Sequence, residues 1–230
     1  MTEEDSPIAP DSGQSGRKPF GWPFWLLLIG TGVILYSFVP IRWISIIEIA
    51  NRKEATTNAK QIRLALFAFE EYFGAYPSTA TATEVTAEYP SHGYNLTGNS
   101  SNAIFRQLFA AKVIDTEMPF YVKIMNAIKP DGIIIPREAL KKGEVGFAYI
   151  SGLSTAGNPN TPILLTPMIP GTTKFDPEPF DGKAIALRID GSVTTYKINK
   201  DGHIYDKDGD VLSPKHPFWN GKTPTIHYPE

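Results

Sequence analysis

From Phe20 to Val39 the chain carries no charged residue, and its apolar positions run together instead of alternating: Trp25, Leu26, Leu27, Leu28 and Ile29, then Val33, Ile34, Leu35, Tyr36 and Phe38. About twenty apolar residues at a rise of roughly 1.5 Å match the roughly 30 Å hydrocarbon layer of a bilayer. The run predicts a transmembrane helix over residues 20–41. Trp22 and Trp25 at one end and Trp43 at the other stand where amphipathic rings prefer the headgroup level, and Gly30 and Gly32 are tolerated in such helices. A cleaved secretory signal would have a shorter apolar region and a small-x-small cleavage site; Pro40, Ile41, Arg42 and Trp43 follow here instead. Arg17 and Lys18 before the run and Arg42, Arg52 and Lys53 after it leave the orientation open, and a long downstream domain translocates regardless of local charge.

After residue 42 the spacing changes. Ala55, Ala59, Ile62, Leu66, Phe69 and Phe73 recur at alternating intervals of four and three, which makes one apolar stripe along an α-helix. Arg52, Lys53, Lys60, Arg63, Glu70 and Glu71 lie largely off that stripe. Gly74 and then Pro77 supply the stop. An amphipathic helix over 42–77 is expected to continue from the membrane, with Pro40 placed to kink it at the interface.

Residues 78–230 read as an α+β domain with a mostly antiparallel β-sheet against which the long N-terminal helix packs. Ser101 is placed to cap a second helix whose inner face is Ile104, Phe105, Leu108, Phe109 and Val113. Residues 147–150, 162–166, 184–190 and 192–198 are short β-leaning runs, and 151–161, rich in Gly, Ser, Asn and Pro, reads as a surface loop. Asp-Gly pairs recur at 131, 181, 190, 201 and 208; such pairs take the positive φ values that tight turns require. Asp190-Gly191, between two β-rich runs, is the best hairpin turn in the chain.

Composition narrows the function classes. Residues 1–19 hold Glu3, Glu4, Asp5 and Asp11 with abundant Pro, Ser and Gly, and read as a disordered tail. Without that tail the 24 acidic and 22 basic residues become equal in number, so no basic face points to nucleic acid. The absence of cysteine neither implies a disulfide framework nor excludes an oxidising compartment.

Two segments carry a family resemblance. Asn58-Ala59-Lys60-Gln61-Ile62-Arg63-Leu64-Ala65-Leu66, closed by Tyr72-Phe73-Gly74-Ala75-Tyr76-Pro77, resembles the N-terminal helix of bacterial type IV pilin-like proteins and type II secretion pseudopilins. Downstream, residues 184–193, AIALRIDGSV, are similar to the strand-DGS-V signature near the C-terminus of many such proteins. The resemblance covers the helix and this hairpin and leaves the middle of the chain unmatched. It implies a pilin-like fold, a single-pass anchor in a bacterial inner membrane, a periplasmic or extracellular soluble domain, and packing against other copies or pilin-like proteins through the N-terminal helix. Glu48 corresponds to the glutamate that in a filament pairs with a neighbour's N-terminal amine. The pattern departs there, since the apolar run precedes Glu48 and no Gly or Ala precedes Trp43 or Ile44, so prepilin-type cleavage does not follow from it.

Catalytic patterns are weak. Gly152-Leu153-Ser154-Thr155-Ala156-Gly157 lacks the spacing of a nucleophile elbow, and His92, His203, His216 and His227 are scattered without metal-ligand spacing. No cofactor is expected. Asp206, Asp208 and Asp210 place three carboxylates on one tight turn, a set of oxygen ligands suited to calcium, and some major pseudopilins bind calcium in a C-terminal loop. The turn is no EF-hand, because its glycine comes too early and the terminal glutamate is missing. The expected function is a non-enzymatic, membrane-anchored structural protein of a secretion- or pilus-type assembly. The alternative is an anchored binding module for glycan or protein, using the 151–161 loop with Phe218, Trp219 and Tyr228.

Overall fold

The computed structural model describes residues 21–230. The expected tail 1–19, Phe20, and the side chains of residues 24, 28 and 32–45 lie outside the described residues, and with them most of the expected span. Helix α1 (Trp22–Phe73) is followed by α2 (Thr81–Glu88), α3 (Ser101–Ala110) and a single 3-10 turn (Met118–Phe120). The strands are β1 (Ala148–Ile150), β2 (Pro162–Thr166), β3 (Lys183–Arg188), β4 (Val193–Lys197), β5 (Tyr205–Asp206), β6 (Gly209–Asp210) and β7 (Ile226–His227). By its contacts the chain divides after Trp43 into two compact units, so residues 44–73 of α1 belong with the domain and not apart from it. In the N-terminal unit Trp22, Trp25, Leu26, Leu27 and Ile29 are exposed. Among the described residues no helix is long and apolar enough to cross a membrane.

The second unit is α+β, as the pattern predicts. Its stripe points inward: Ala55, Ala59, Ile62, Leu66 and Phe69 are buried and Phe73 packs at their edge. Ala65 joins them because it lies three and four residues from Ile62 and Phe69. The helix stops where Gly74 takes φ +70° and its amide bonds the Glu70 carbonyl at 2.7 Å, a conformation costly for any residue with a Cβ.

β4, β3, β2, β1 and β7 form one sheet in that order, antiparallel throughout. Asp190-Gly191 turns the β3–β4 hairpin as predicted, with Leu187 opposite Val193 and Lys183 opposite Lys197. Because alternate side chains take opposite faces, Ile185 and Leu187 meet the α1 stripe, with Phe105 and Leu108 of α3 in the same core. Ala184 and Ala186 face a second core closed by Ile204, Val211, Leu212 and Trp219. The sheet is thus covered on both faces, which the strand pattern alone does not reveal. Tyr149 Oη donates to the Pro77 carbonyl at 2.7 Å and fastens β1, an interior strand, to the turn after α1.

Two details correct the local reading. The N-cap of α3 is Ser100, whose Oγ accepts from the Ala103 amide at 3.1 Å, while Ser101 is the first helical residue. Helix α2 has too weak an apolar periodicity to be read from sequence. It is anchored by Thr81, whose Oγ1 donates to Gln107 Oε1 of α3 at 2.7 Å, while Gln107 Nε2 donates to the Ser78 carbonyl at 2.8 Å.

Candidate functional site

The acidic turn becomes the β5–β6 ribbon, where the structure brings Asp206 and Asp208 together and sends Asp210 elsewhere. His216, whose side chain is fully buried, places Nε2 2.9 Å from Asp206 Oδ1. Its Nδ1 accepts from the Phe218 amide at 3.3 Å, which assigns the remaining ring proton to Nε2 and makes His216 the donor to Asp206. Burial alone would raise the Asp206 carboxyl, but the His216 bond and the Asp208 amide outweigh it and hold the group below its ordinary value. Asp210 Oδ1 accepts from the Leu212 amide at 3.0 Å and its Oδ2 lies 2.9 Å from His203 Nδ1. Asp206, Asp208 and His216 each offer a ligand atom within 4.8 Å of the others. That set mixes nitrogen with oxygen, where the turn by itself offers oxygen alone, and the His216–Asp206 bond ties the ribbon to the segment that follows it. Sequence spacing could not show this, since His216 reaches Asp206 across ten residues without helical or strand periodicity.

Other polar residues settle into structural roles. Ser151 Oγ lies 2.8 Å from His227 Nε2, and His227 Nδ1 lies 2.8 Å from the Asn99 carbonyl, the order of a nucleophile, base and orienting group. Yet His227 is buried, and the Ser151 amide is spent on the Thr225 carbonyl, so it is no oxyanion donor; the pair ties β1 to β7. Trp219 is buried with its Nε1 donating to the Val211 carbonyl at 2.8 Å, and Tyr228 Oη donates to the Thr172 carbonyl at 2.7 Å. Trp219 belongs to the second core, and Phe218 and Tyr228, partly buried, pack against it.

No family model, curated protein or solved structure matches this chain. The functional reading therefore rests on the molecule's own surfaces.

The most informative of these is α1. Glu48 is half-buried and lines a groove of about 450 Å³ with Ile47, Asn51, Lys123, Met125 and Asp176. On the side away from the core, Ile46, Ile49, Leu64 and Phe67 are exposed, Leu64 at 64%. Leu64 stands nine residues from both Ala55 and Phe73, two and a half turns, and so points opposite to the buried stripe. Polar groups on the flanks of the helix hold it in place: Arg52 Nη1 donates to the Phe180 carbonyl at 3.2 Å, Asn58 Nδ2 to the Tyr121 carbonyl at 2.9 Å, and Glu70 Oε1 accepts from the Thr155 amide at 2.9 Å.

A second carboxylate cluster went unread in the sequence. Glu117, Asp131 and Glu144 each bring one oxygen within 4.8 Å of the others. They stand fourteen and thirteen positions apart along chain whose only regular element is the 3-10 turn Met118–Phe120, so no periodicity or motif links them; Asp131-Gly132 reads only as a turn.

Proposed function

We propose that this protein is a non-enzymatic, membrane-anchored, pilin-like structural subunit of a secretion- or pilus-type assembly, with its α+β domain on the exported side. The observation that carries the reading is the double patterning of α1, which buries one apolar stripe and presents a second outward. Leu64 follows Ile46, and Phe67 follows Ile49, by eighteen residues, five full turns. Lys53 and Glu71 repeat the same interval with opposite charge, and both are exposed. Two parallel copies offset by five turns would set Ile46, Ile49 and Lys53 of one against Leu64, Phe67 and Glu71 of the next. That complementarity favours another copy of this chain as the partner. The contact between the two segments that carry the pilin-like resemblance supports the same reading.

The absence of native cysteine makes the test direct. A chain carrying both Ile49→Cys and Phe67→Cys, oxidised in membranes, is expected to give a ladder of crosslinked species, whereas each single variant gives at most a dimer. A strictly monomeric pattern from the double variant and from other cysteine pairs along residues 46–71 would end the proposal. N-terminal sequencing of the mature protein separates an uncleaved anchor from a processed one starting near residue 44.

A further inference from the structure

The cluster of Glu117, Asp131 and Glu144 has a feature that the β5–β6 ribbon lacks. Glu117 is fully buried, yet only its Oε1 is satisfied, by the Leu140 amide at 2.6 Å; Oε2 is buried with no hydrogen-bond partner. Native interiors seldom leave a carboxylate oxygen in that condition, because an unmet buried acceptor costs on the order of 1–3 kcal/mol, and more when charged. Glu144 is buried beside it and accepts from the Lys141 amide through Oε2 at 2.6 Å. Asp131 is the exposed member, its Oδ1 held by the Ile133 amide at 2.8 Å.

Lys141 neutralises this group only in part, through Asp131. Its ammonium lies 2.8 Å from Asp131 and 2.5 Å from Glu138, so one partly exposed cation is shared between two partly exposed carboxylates. Among the described residues neither Glu117 nor Glu144 has a basic side chain within ion-pair distance. Two buried carboxyls and a third at the surface therefore converge with an unmet oxygen and insufficient positive charge. The donors are all oxygen, the choice of hard divalent cations. Oxygens around a calcium ion at roughly 2.3–2.6 Å stand up to about 5 Å apart, while magnesium at roughly 2.0–2.1 Å draws them closer. The separations within this cluster, all inside 4.8 Å, fall in the range spanned by oxygens around calcium, with a small contraction closing the set on the ion.

We propose that Glu117, Asp131 and Glu144 form a calcium site, entered from the Asp131 side, that fastens the irregular chain between the 3-10 turn and β1. Residues 121–147 contain no helix or strand. An ion bound by Glu117 before that stretch, Asp131 within it and Glu144 near its end would hold it at three points. The site is remote in sequence from the β5–β6 ribbon and does not depend on the assembly role proposed above.

The test is calorimetric titration of calcium chloride into the full-length chain, purified in detergent and stripped with EGTA, with thermal unfolding in parallel. The expected result is one saturable site with a dissociation constant between about 10⁻⁵ and 10⁻³ M, a raised unfolding midpoint, and weaker binding of magnesium. Asp131→Asn is expected to weaken calcium binding roughly tenfold or more while leaving the midpoint of the calcium-free protein nearly unchanged, since that side chain is exposed. Glu117→Gln is expected to abolish binding; should that variant fail to fold, Asp131→Asn carries the test alone. An Asp206→Asn, Asp208→Asn double variant should bind as the parent does. No heat and no midpoint shift for the parent chain would overturn the proposal. So would binding that survives Asp131→Asn unweakened or that disappears in the ribbon variant.

Discussion

Arg63 on helix α1 lies directly against Gly191 in the β3–β4 turn, so closely that a Cβ on Gly191 would fall 2.2 Å from Arg63 Nε. Gly191 also takes φ +85°, a conformation side chains rarely adopt. The two stretches that resemble pilin-like proteins, one helical and one a hairpin, thus meet at a point where only glycine fits. The Arg63 guanidinium is held there over the Phe67 ring, 5.9 Å from its centroid.

Gly191→Ala is expected to destabilise the domain by about 1–3 kcal/mol, from backbone strain together with displacement of Arg63. Chemical denaturation measures it. If close approach contributes, Arg63→Ala in the same chain recovers part of the loss, and a double-mutant cycle reads the coupling. A Gly191→Ala variant as stable as the parent would mean that the turn does not seat the helix.

Asn102, at the buried start of α3, donates to the Leu140 and Lys141 carbonyls at 3.0 and 3.1 Å and accepts from the Glu230 amide at 3.0 Å. Removing that side chain leaves the Glu230 amide without its acceptor, while the Leu140 carbonyl keeps Arg106 and the Lys141 carbonyl keeps the Glu144 amide. Asn102→Ala should cost about 1–3 kcal/mol, with hydrogen exchange accelerating at the Glu230 amide. Unchanged exchange there would show that the Asn102 bond does not protect it.

Two tyrosines report on the seam between α1 and the sheet. Burial, reinforced by Glu70 and opposed by Arg63, pushes the Tyr76 hydroxyl up to about 12, and burial, with Tyr76 and Glu70 adding to it, raises Tyr149 well above its ordinary value. An unfolded chain releases these protons near pH 10. Folded-state values raised above the unfolded ones mean that stability is fully present below about pH 10 and is lost as pH rises through about 12. Near-ultraviolet absorbance should show both groups protonated at about pH 11, ionising only in a late step that coincides with unfolding. A single smooth titration of all ten tyrosines near the ordinary value would contradict the packing described.

Much of the architecture was legible because it is written in short-range order. The stripe from Ala55 to Phe73 repeats with the helix itself, the Asp190-Gly191 turn depends on two adjacent residues, and the runs that became β1 to β4 are β-rich over a few positions. The helix cap was misplaced by one residue, from Ser101 to Ser100, because two adjacent serines satisfy the same preference and only backbone geometry chooses between them. Residues 114–146 offered no period at all, and the Glu117 cluster within that region could not be seen. Nor could the pairing of Asp206 with His216, which brings a buried nitrogen donor to a turn that reads as carboxylates alone.

By itself, then, the sequence determined the apolar run, the helix that follows it, the hairpin and the class of the fold, since each depends on residues within a turn or two of one another. Tertiary structure alone decided which carboxylates meet, which histidine they meet, that Trp219 is core, and that α1 keeps a second apolar face outside. Side-chain chemistry between distant residues is set by where the chain folds back, and nothing local in Glu117, Asp131 or Glu144 records that they share a site.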